Sequence, residues 1–303
     1  TGSGVVDNPA SLLVNGVDWA TYGTEITSAY TDHAFSGDYP FDFWDVFASP
    51  AGGYPAALTA PRGHGAVPGD VIGRYRNVIW VGNNFNGDLA VWQDTPVLPY
   101  LRAGGNVLLM SRQGDRFLGD SLRIYLGVNW AQTSATLLDG LATRPGLTNL
   151  TLLATQSACS VFDTVRTTPE SQLLYRAGSG FTPSRGIGAV RIPASGAGAR
   201  ATGGRLAFLS GRPYRWNHAL LQANVQVILD KWFLESLPVL SVNPPTAGAG
   251  RLVLDSARPN PSHAATAFRF ALPRAGHVRL ALWDVAGRRT RTIVDGPLAA
   301  GDH

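Results

Sequence analysis

Hydrophobic positions in this chain fall into short unbroken runs separated by polar, glycine-bearing loops, and the pattern is clearest between Asn77 and Gly127. There an apolar run from Val78 to Val81 meets a polar loop, a helical stretch closes at Gly104-Gly105, and a second run, Val107 to Met110, stops at Ser111-Arg112-Gln113-Gly114. Wholly apolar runs of this length around a helix predict a βαβ unit in a parallel sheet covered on both faces. Ligands of such sheets sit beyond the carboxyl ends of the strands. The segments Gly82 to Asp88 and Ser111 to Asp115 are therefore expected side by side around any site.

The same patterning places other elements around this unit. Ser11 to Val17 is the first strand, with Asp18, Trp19 and Tyr22 in the loop after it and a helix expected over residues 24 to 36, capped by Thr24. Phe41 to Phe47 alternates apolar and acidic residues and reads as a strand near the sheet edge. Residues 48 to 68 are rich in proline and glycine and form a long excursion that carries His64, read as a solvent-exposed loop histidine. A short helix is expected over Gly69 to Tyr75. Mixed strands and turns follow Gly127, with Gly186 to Ile192 and Arg205 to Ser210 as strands and Ser195 to Gly204 as the turn between them. In Asn217 to Glu235, Leu220, Leu221, Val225, Ile228, Leu229, Trp232 and Phe233 recur at helical spacing, which predicts a long helix closing the domain. Beyond a proline- and glycine-bearing linker, the period turns to that of strands. The expected organisation is an N-terminal arm over 1–10, an α/β domain over 11–236, a linker over 237–251 and a small, partial all-β domain over 252–303.

A chain of 303 residues with 45% apolar content has enough material for a full core in two domains. It opens at Thr1 with no signal-peptide pattern, as expected of a processed form or an excerpt, and no apolar run is long enough to span a membrane. The net charge of +4 comes almost wholly from scattered arginines, with Arg288-Arg289-Thr290-Arg291 the densest group. No basic stripe marks a nucleic-acid groove. The single cysteine, Cys159, excludes an intrachain disulfide framework and a cysteine zinc site.

The C-terminal stretch carries Pro259-Asn260-Pro261, a strand ending Leu272-Pro273, Gly276, Trp283-Asp284-Val285-Ala286-Gly287-Arg288 and a closing Leu298-Ala-Ala-Gly301. As a set it resembles the Ig-like domain related to the flagellar hook-capping protein, a relative of type IX secretion sorting domains found at the C-termini of exported bacterial proteins. Ser262 departs from that pattern where an aromatic residue usually follows the proline, and the chain stops before the pattern's final strands. The segments FDFWDV, RYRNVIWVG and LPYLRAGGNVLLMS, with the last strand and helix, resemble the class I glutamine amidotransferase-like group in its broad, largely non-catalytic sense. That resemblance covers about residues 11 to 235 and implies a flavodoxin-like sheet with helices on both faces. In catalytic members a cysteine follows the strand that here ends at Met110. This chain has Ser111 and then Arg112, which argues against a glutaminase.

The candidate chemistry is correspondingly sparse. Ser111 is a candidate nucleophile, with His218 the later imidazole available to it; capping or a loop hydrogen bond is its alternative role. Cys159 lacks a local histidine and reads as a small buried residue. Asn84, Asn86 and Asp88 alternate as a calcium loop begins, but no later bidentate glutamate completes it, and the competing reading has Asp88 capping the next helix. Asp18 and Asp115 line the same expected crevice, and Asp120 could flank it. Trp19, Trp80, Trp92 and Trp130 are candidates for stacking on a sugar or for the core.

Together these readings point to an exported or cell-surface protein in a structural or interaction role, with no cofactor. The Ig-like tail is short of the roughly seven strands of such a sandwich; either further residues downstream complete it, or its uncovered edges invite self-association, even a filament, or contact with another surface protein. The alternatives are a hydrolase working at the Ser111/Asp115 crevice and a carbohydrate- or cation-binding accessory module. A hydrogen-bonded Ser111–His218 pair would mark the enzyme, and an arginine-filled crevice the structural role.

Overall fold

The computed structural model describes residues 10–83, 87–156, 159–178, 180–191, 203–233, 253–254, 267–283 and 289–303. The chain divides into two compact units, Thr1–Leu237 and Pro238–His303. In chain order the first contains β1 (Ser11–Gly16), α1 (Trp19–Thr31), β2 (Phe41–Asp45), α2 (Gly69–Ile72), β3 (Asn77–Gly82), α3 (Asp88–Asp94), α4 (Val97–Arg102), β4 (Asn106–Ser111) and α5 (Gly114–Leu126). These are followed by β5 (Val128–Leu137), β6 (Asp139–Ala142), β7 (Leu150–Thr151), β8 (Cys159–Thr167), β9 (Ser171–Ala177), β10 (Gly186–Arg191), β11 (Leu206–Ser210), a 3-10 turn at Pro213–Arg215 and α6 (His218–Lys231).

One eleven-stranded sheet organises this unit, and it has two halves. Strands β2-β1-β3-β4-β11 run parallel in that order, with β1 reversing the direction of strand addition as in flavodoxin-like sheets. From β11 outward every pairing is antiparallel: β10 on β11, then β9 and β8 on β10, β6 and β7 beyond β9, and β5 on β8. The expected parallel sheet is thus one half of a larger mixed sheet, whose other half is antiparallel. The short apolar runs after Gly127 are consistent with either period, and the long β5 and β8 carry polar residues that mask their alternation.

The parallel half is covered on both faces because its strands alternate between two cores. Leu13, Ile79, Val81, Leu108, Met110, Ala207 and Leu209 pack on one side with residues of α1 and α6. Leu12, Val14, Val78, Trp80, Val107, Leu109 and Phe208 pack on the other with residues of α3, α4 and α5. Along the amino-terminal edge, Asn106 Nδ2 donates to Asn77 Oδ1 at 2.9 Å, and Asn106 Oδ1 accepts the Arg205 amide at 2.9 Å. Asn77 Nδ2 reaches Ser11 Oγ at 3.5 Å, so one polar ladder crosses four strand starts.

Three helices differ from their sequence expectation. α1 begins at Trp19, not near Thr24, because the Asp18 carboxylate accepts the Ala20 and Thr21 amides as N-cap. The single helix expected after the first glycine loop is two, α3 and α4, divided before Pro96, a residue that cannot continue a helical ladder. α2 is one turn, shorter than Gly69 to Tyr75.

The second unit has β12 (Val253–Leu254), β13 (Phe270–Leu272), β14 (Gly276–Trp283), β15 (Arg289–Leu298) and β16 (Gly301–Asp302). β12, β13 and β16 form one antiparallel sheet, and β14 with β15 forms a separate pair. β15 carries little apolar alternation, which is why its sequence did not announce it. The turn expected over Ser195 to Gly204, the linker and the Pro259-Asn260-Pro261 motif lie mostly or wholly outside the described residues. No helix among the described residues is long and apolar enough to cross a membrane.

Candidate functional site

The parallel strands end together at Gly16, Gly82, Ser111 and Ser210, and the loops that leave them define the carboxyl edge. The two expected loops do adjoin: a Cβ placed on Gly82 would lie 3.1 Å from Ser111 Oγ. Around this edge the structure builds two different polar groups.

The first lies beyond β1 and β2. Asp45, fully buried, accepts hydrogen bonds from Asn15 Nδ2 (2.9 Å), Trp19 Nε1 (2.7 Å), Tyr54 Oη (2.9 Å) and the Phe47 amide (3.2 Å). Tyr30 Oη donates to Asn15 Oδ1 at 3.1 Å. Burial raises the Asp45 pKa above the ordinary aspartate value, and the four donors offset part of that shift. The network ties the long excursion over 48–68 to the sheet, and it spends Trp19 and Tyr54 on structure.

The second lies beyond β4 and β11. Ser111 and Ser210 are register partners, and the Gly211 amide donates to Ser111 O at 3.2 Å, so the chains leave the sheet side by side as Arg112 and Arg212. Arg112 is only 9% exposed. Burial, then the charge of Arg212, lowers its pKa, while Tyr22, Tyr214 and Asp88 act in the opposite direction. The Arg212 guanidinium lies 6.0 Å over the Tyr22 ring, and that ring sits 5.5 Å from Tyr214. On the far side, Asp163 is completely buried: its carboxylate accepts the Asp115 amide at 3.1 Å, and its own amide donates to Ser210 Oγ at 2.8 Å.

Measured against this geometry, the sequence-predicted residues separate. Asp18 is the N-cap of α1 and also accepts from Thr21 Oγ1 at 2.6 Å. Asp88 is buried and accepts the Asn83 amide at 2.7 Å; the N-cap of α3 is Gly87, in the left-handed region at φ 101°, so Asp88 braces the loop instead of capping the helix. Asn84 and Asn86 lie outside the described residues. No group of three or more histidine, cysteine, aspartate or glutamate side chains among the described residues is placed to hold a metal ion. Asp115 contributes its backbone to Asp163, and Asp120 forms a surface ion pair with Arg123. Trp80 and Trp92 are core, Trp19 is bound to Asp45, and half-buried Trp130 meets Phe208 edge-on. His64 Nδ1 contacts Phe47 O at the excursion's return.

Ser111 and His218 are not brought together. Ser111, fully buried, donates to Arg112 O at 2.8 Å and shares the sheet face of Val107 and Leu109. His218 begins α6 on the opposite face, where Nδ1 meets Asp32 at 2.6 Å and Nε2 meets Tyr214 O at 3.2 Å. The strained position of the strand-to-helix elbow is Gln113 (φ 52°, ψ 49°). Gly114 follows it because a Cβ there would come within 2.2 Å of the Phe208 ring. In a nucleophile elbow the left-handed residue carries the attacking atom; here it carries a carboxamide.

Sequence reasoning found the edge but missed Asp45, Asp163 and Arg212. Arg212 stands in Ser210-Gly211-Arg212, after a strand already recognised, and the likeness to Ser111-Arg112 was the available signal. Asp163 comes from the antiparallel half, and no local pattern ties it to this edge.

No family model matches the chain, and no curated protein matches it. Among solved structures it is similar to a ThuA-like protein from Parabacteroides merdae, at 11% identity and a TM-score of 0.33, over 77% of this chain and 94% of that one. A likeness of that size carries no argument about activity or ligand.

Proposed function

We propose that the chain is a structural or interaction protein of the bacterial exterior whose α/β unit is a catalytically degenerate amidotransferase-like domain. The observation that supports this is the elbow: its left-handed residue is Gln113, while the Ser111 hydroxyl is committed to a neighbouring carbonyl and His218 lies on the other side of the sheet. An acyl-transfer site needs a nucleophile within reach of a base and a developing oxyanion near backbone donors. The described residues supply neither pairing here. A carboxamide is not a nucleophile, and a serine whose proton is donated to Arg112 O has no base to take it.

The tail supports the interaction role. Its described residues make five strands in two separate sheets, β15 is largely exposed, and unpaired strand edges favour strand addition. Export rests on the resemblance of the tail motifs to hook-capping-type Ig-like domains.

Two measurements test the reading. Purified protein incubated with L-glutamine and with p-nitrophenyl esters should release no ammonia or nitrophenolate above buffer. Turnover abolished in Ser111→Ala would overturn the non-catalytic assignment. Light scattering across a concentration series reads the interaction role, and a strictly monomeric chain at all concentrations would count against self-assembly through the tail.

A further inference from the structure

We propose that Arg76, Arg102, Arg191 and Arg205 form a docking surface for an acidic polysaccharide at the amino-terminal edge of the sheet, opposite the edge described above. The choice of a polysaccharide among polyanions rests on the exterior role proposed above. The basic surface itself rests on the geometry of the sheet.

The four arginines come from four separate segments, and the backbone gathers them. Strands β3, β4, β11 and β10 are neighbours in that order. Arg76 immediately precedes β3 and Arg205 precedes β11, and both are tied to β4 between them. Arg76 O accepts the Asn106 amide and Arg205 O the Val107 amide, each at 2.9 Å, while the Arg205 amide donates to Asn106 Oδ1 at 2.9 Å. β10 runs antiparallel to β11 with Val190 opposite Ala207, so its last residue, Arg191, ends at the same edge. Tyr125 brings in the fourth. Its hydroxyl reaches Leu101 O at 3.3 Å and Gly204 O at 2.8 Å, and the Arg191 guanidinium lies 4.0 Å from its ring centroid. One tyrosine thus fixes Arg191 together with the residues that precede Arg102 and Arg205.

This gathering is not neutralised from within. None of the four arginines forms an ion pair among the described residues, whereas Arg74 is paired with Asp70 and Arg123 with Asp120. Glu170 is an acid within electrostatic reach of Arg191, and its carboxylate already accepts the Thr168 hydroxyl. Arg205 carries the mark of its setting: burial, then the charge of Arg76, lowers its pKa. Arg76 and Arg102 are exposed and Arg191 and Arg205 half-buried, so all four reach solvent. With strands about 4.8 Å apart, three strand steps from Arg76 to Arg191 spread the charges over roughly 14 Å. An array of that length suits an extended polyanion better than a single small anion, and planar guanidinium forks suit carboxylates.

The test is calorimetric titration of the full chain at neutral pH with polygalacturonate, with dextran as the neutral polymer and single-stranded DNA as the rival polyanion. Polygalacturonate should bind and dextran should not. Affinity should fall about ten- to a hundredfold between roughly 50 and 200 mM salt. Arg76→Gln and Arg102→Gln, both at exposed side chains, should each weaken binding about fivefold, and together about twentyfold. Arg116→Gln combined with Arg291→Gln removes the same charge from exposed positions elsewhere, one after β4 and one in the second unit, and should change binding by less than about twofold. Absence of polygalacturonate binding at low salt, binding indifferent to salt, or equal losses in the two double variants would overturn the surface. DNA bound more tightly than polygalacturonate would overturn the polysaccharide assignment. Because the readout is polymer binding, its failure leaves the light-scattering result for the tail untouched.

Discussion

The carboxyl edge of the sheet holds two polar groups on either side of β3, and they are satisfied to very different degrees. Beyond β1 and β2, one buried carboxylate receives four donors, and every atom of the network has its complement. Beyond β4 and β11, the Tyr214 hydroxyl and the Arg212 Nε are buried and have no hydrogen-bond partner among the described residues. Complete satisfaction marks a device that fixes loops.

The contrast is broken most severely by Asp45→Ala, which strands the Asn15, Trp19 and Tyr54 donors in a buried site. It should cost about 3–5 kcal/mol, read as a large fall in the urea midpoint. Asp45→Asn keeps the shape but turns an amide N–H toward the Trp19 and Tyr54 donors, and should cost about 1–3 kcal/mol at neutral pH. It also carries a pH signature. The folded pKa of Asp45 is raised by burial above the ordinary aspartate value, so between that value and the folded one the native state binds more protons than the unfolded state. Stability contributed through this group is fully present below the window and is lost as pH rises through it; urea midpoints compared across that range should show the slope in the parent chain and not in Asp45→Asn. At the other group, Ser111→Ala should cost about 1 kcal/mol for one neutral hydrogen bond, read as a small fall in the urea midpoint. The smallest effect is expected at the elbow, where Gln113→Gly relieves a left-handed backbone and should change stability by no more than about 1 kcal/mol, in the stabilising direction, by thermal unfolding.

What the sequence made legible was the part of the fold written in unbroken apolar runs. β1, β3, β4 and β11 lie close to where Ser11 to Val17, Val78 to Val81, Val107 to Met110 and Arg205 to Ser210 placed them, since a strand buried on both faces has no alternation to misread. The start of α1 was hidden because Asp18 and Thr24 are both acceptable caps, and the choice is made by Trp19, whose indole is drawn to Asp45 from another strand. The antiparallel half was hidden by the polar residues of β5 and β8. The candidate site was half legible for a related reason: the loops after β3 and β4 are neighbours in sequence terms, but Arg212 arrives about a hundred residues after Arg112. Charge also misled. Asp88 was read with Asn84 and Asn86 as the start of a cation loop, and Asp18 and Asp115 as crevice residues, yet Asp18 and Asp88 accept backbone amides and Asp115 gives its own amide to Asp163.

The ladder of Ser11, Asn77, Asn106 and the Arg205 amide at the opposite edge acts on how the sheet assembles. Neighbouring strands here are apolar on both faces, so greasy side chains alone would tolerate a slip along the strand direction nearly as well as the native alignment. A slip by one residue would drive a carboxamide against a Val or Leu and leave its amide hydrogens dry. Each asparagine therefore works as a register mark, since a misaligned strand would bury its carboxamide unpaired, and it does so at the amino-terminal edge, away from the loops of the carboxyl edge.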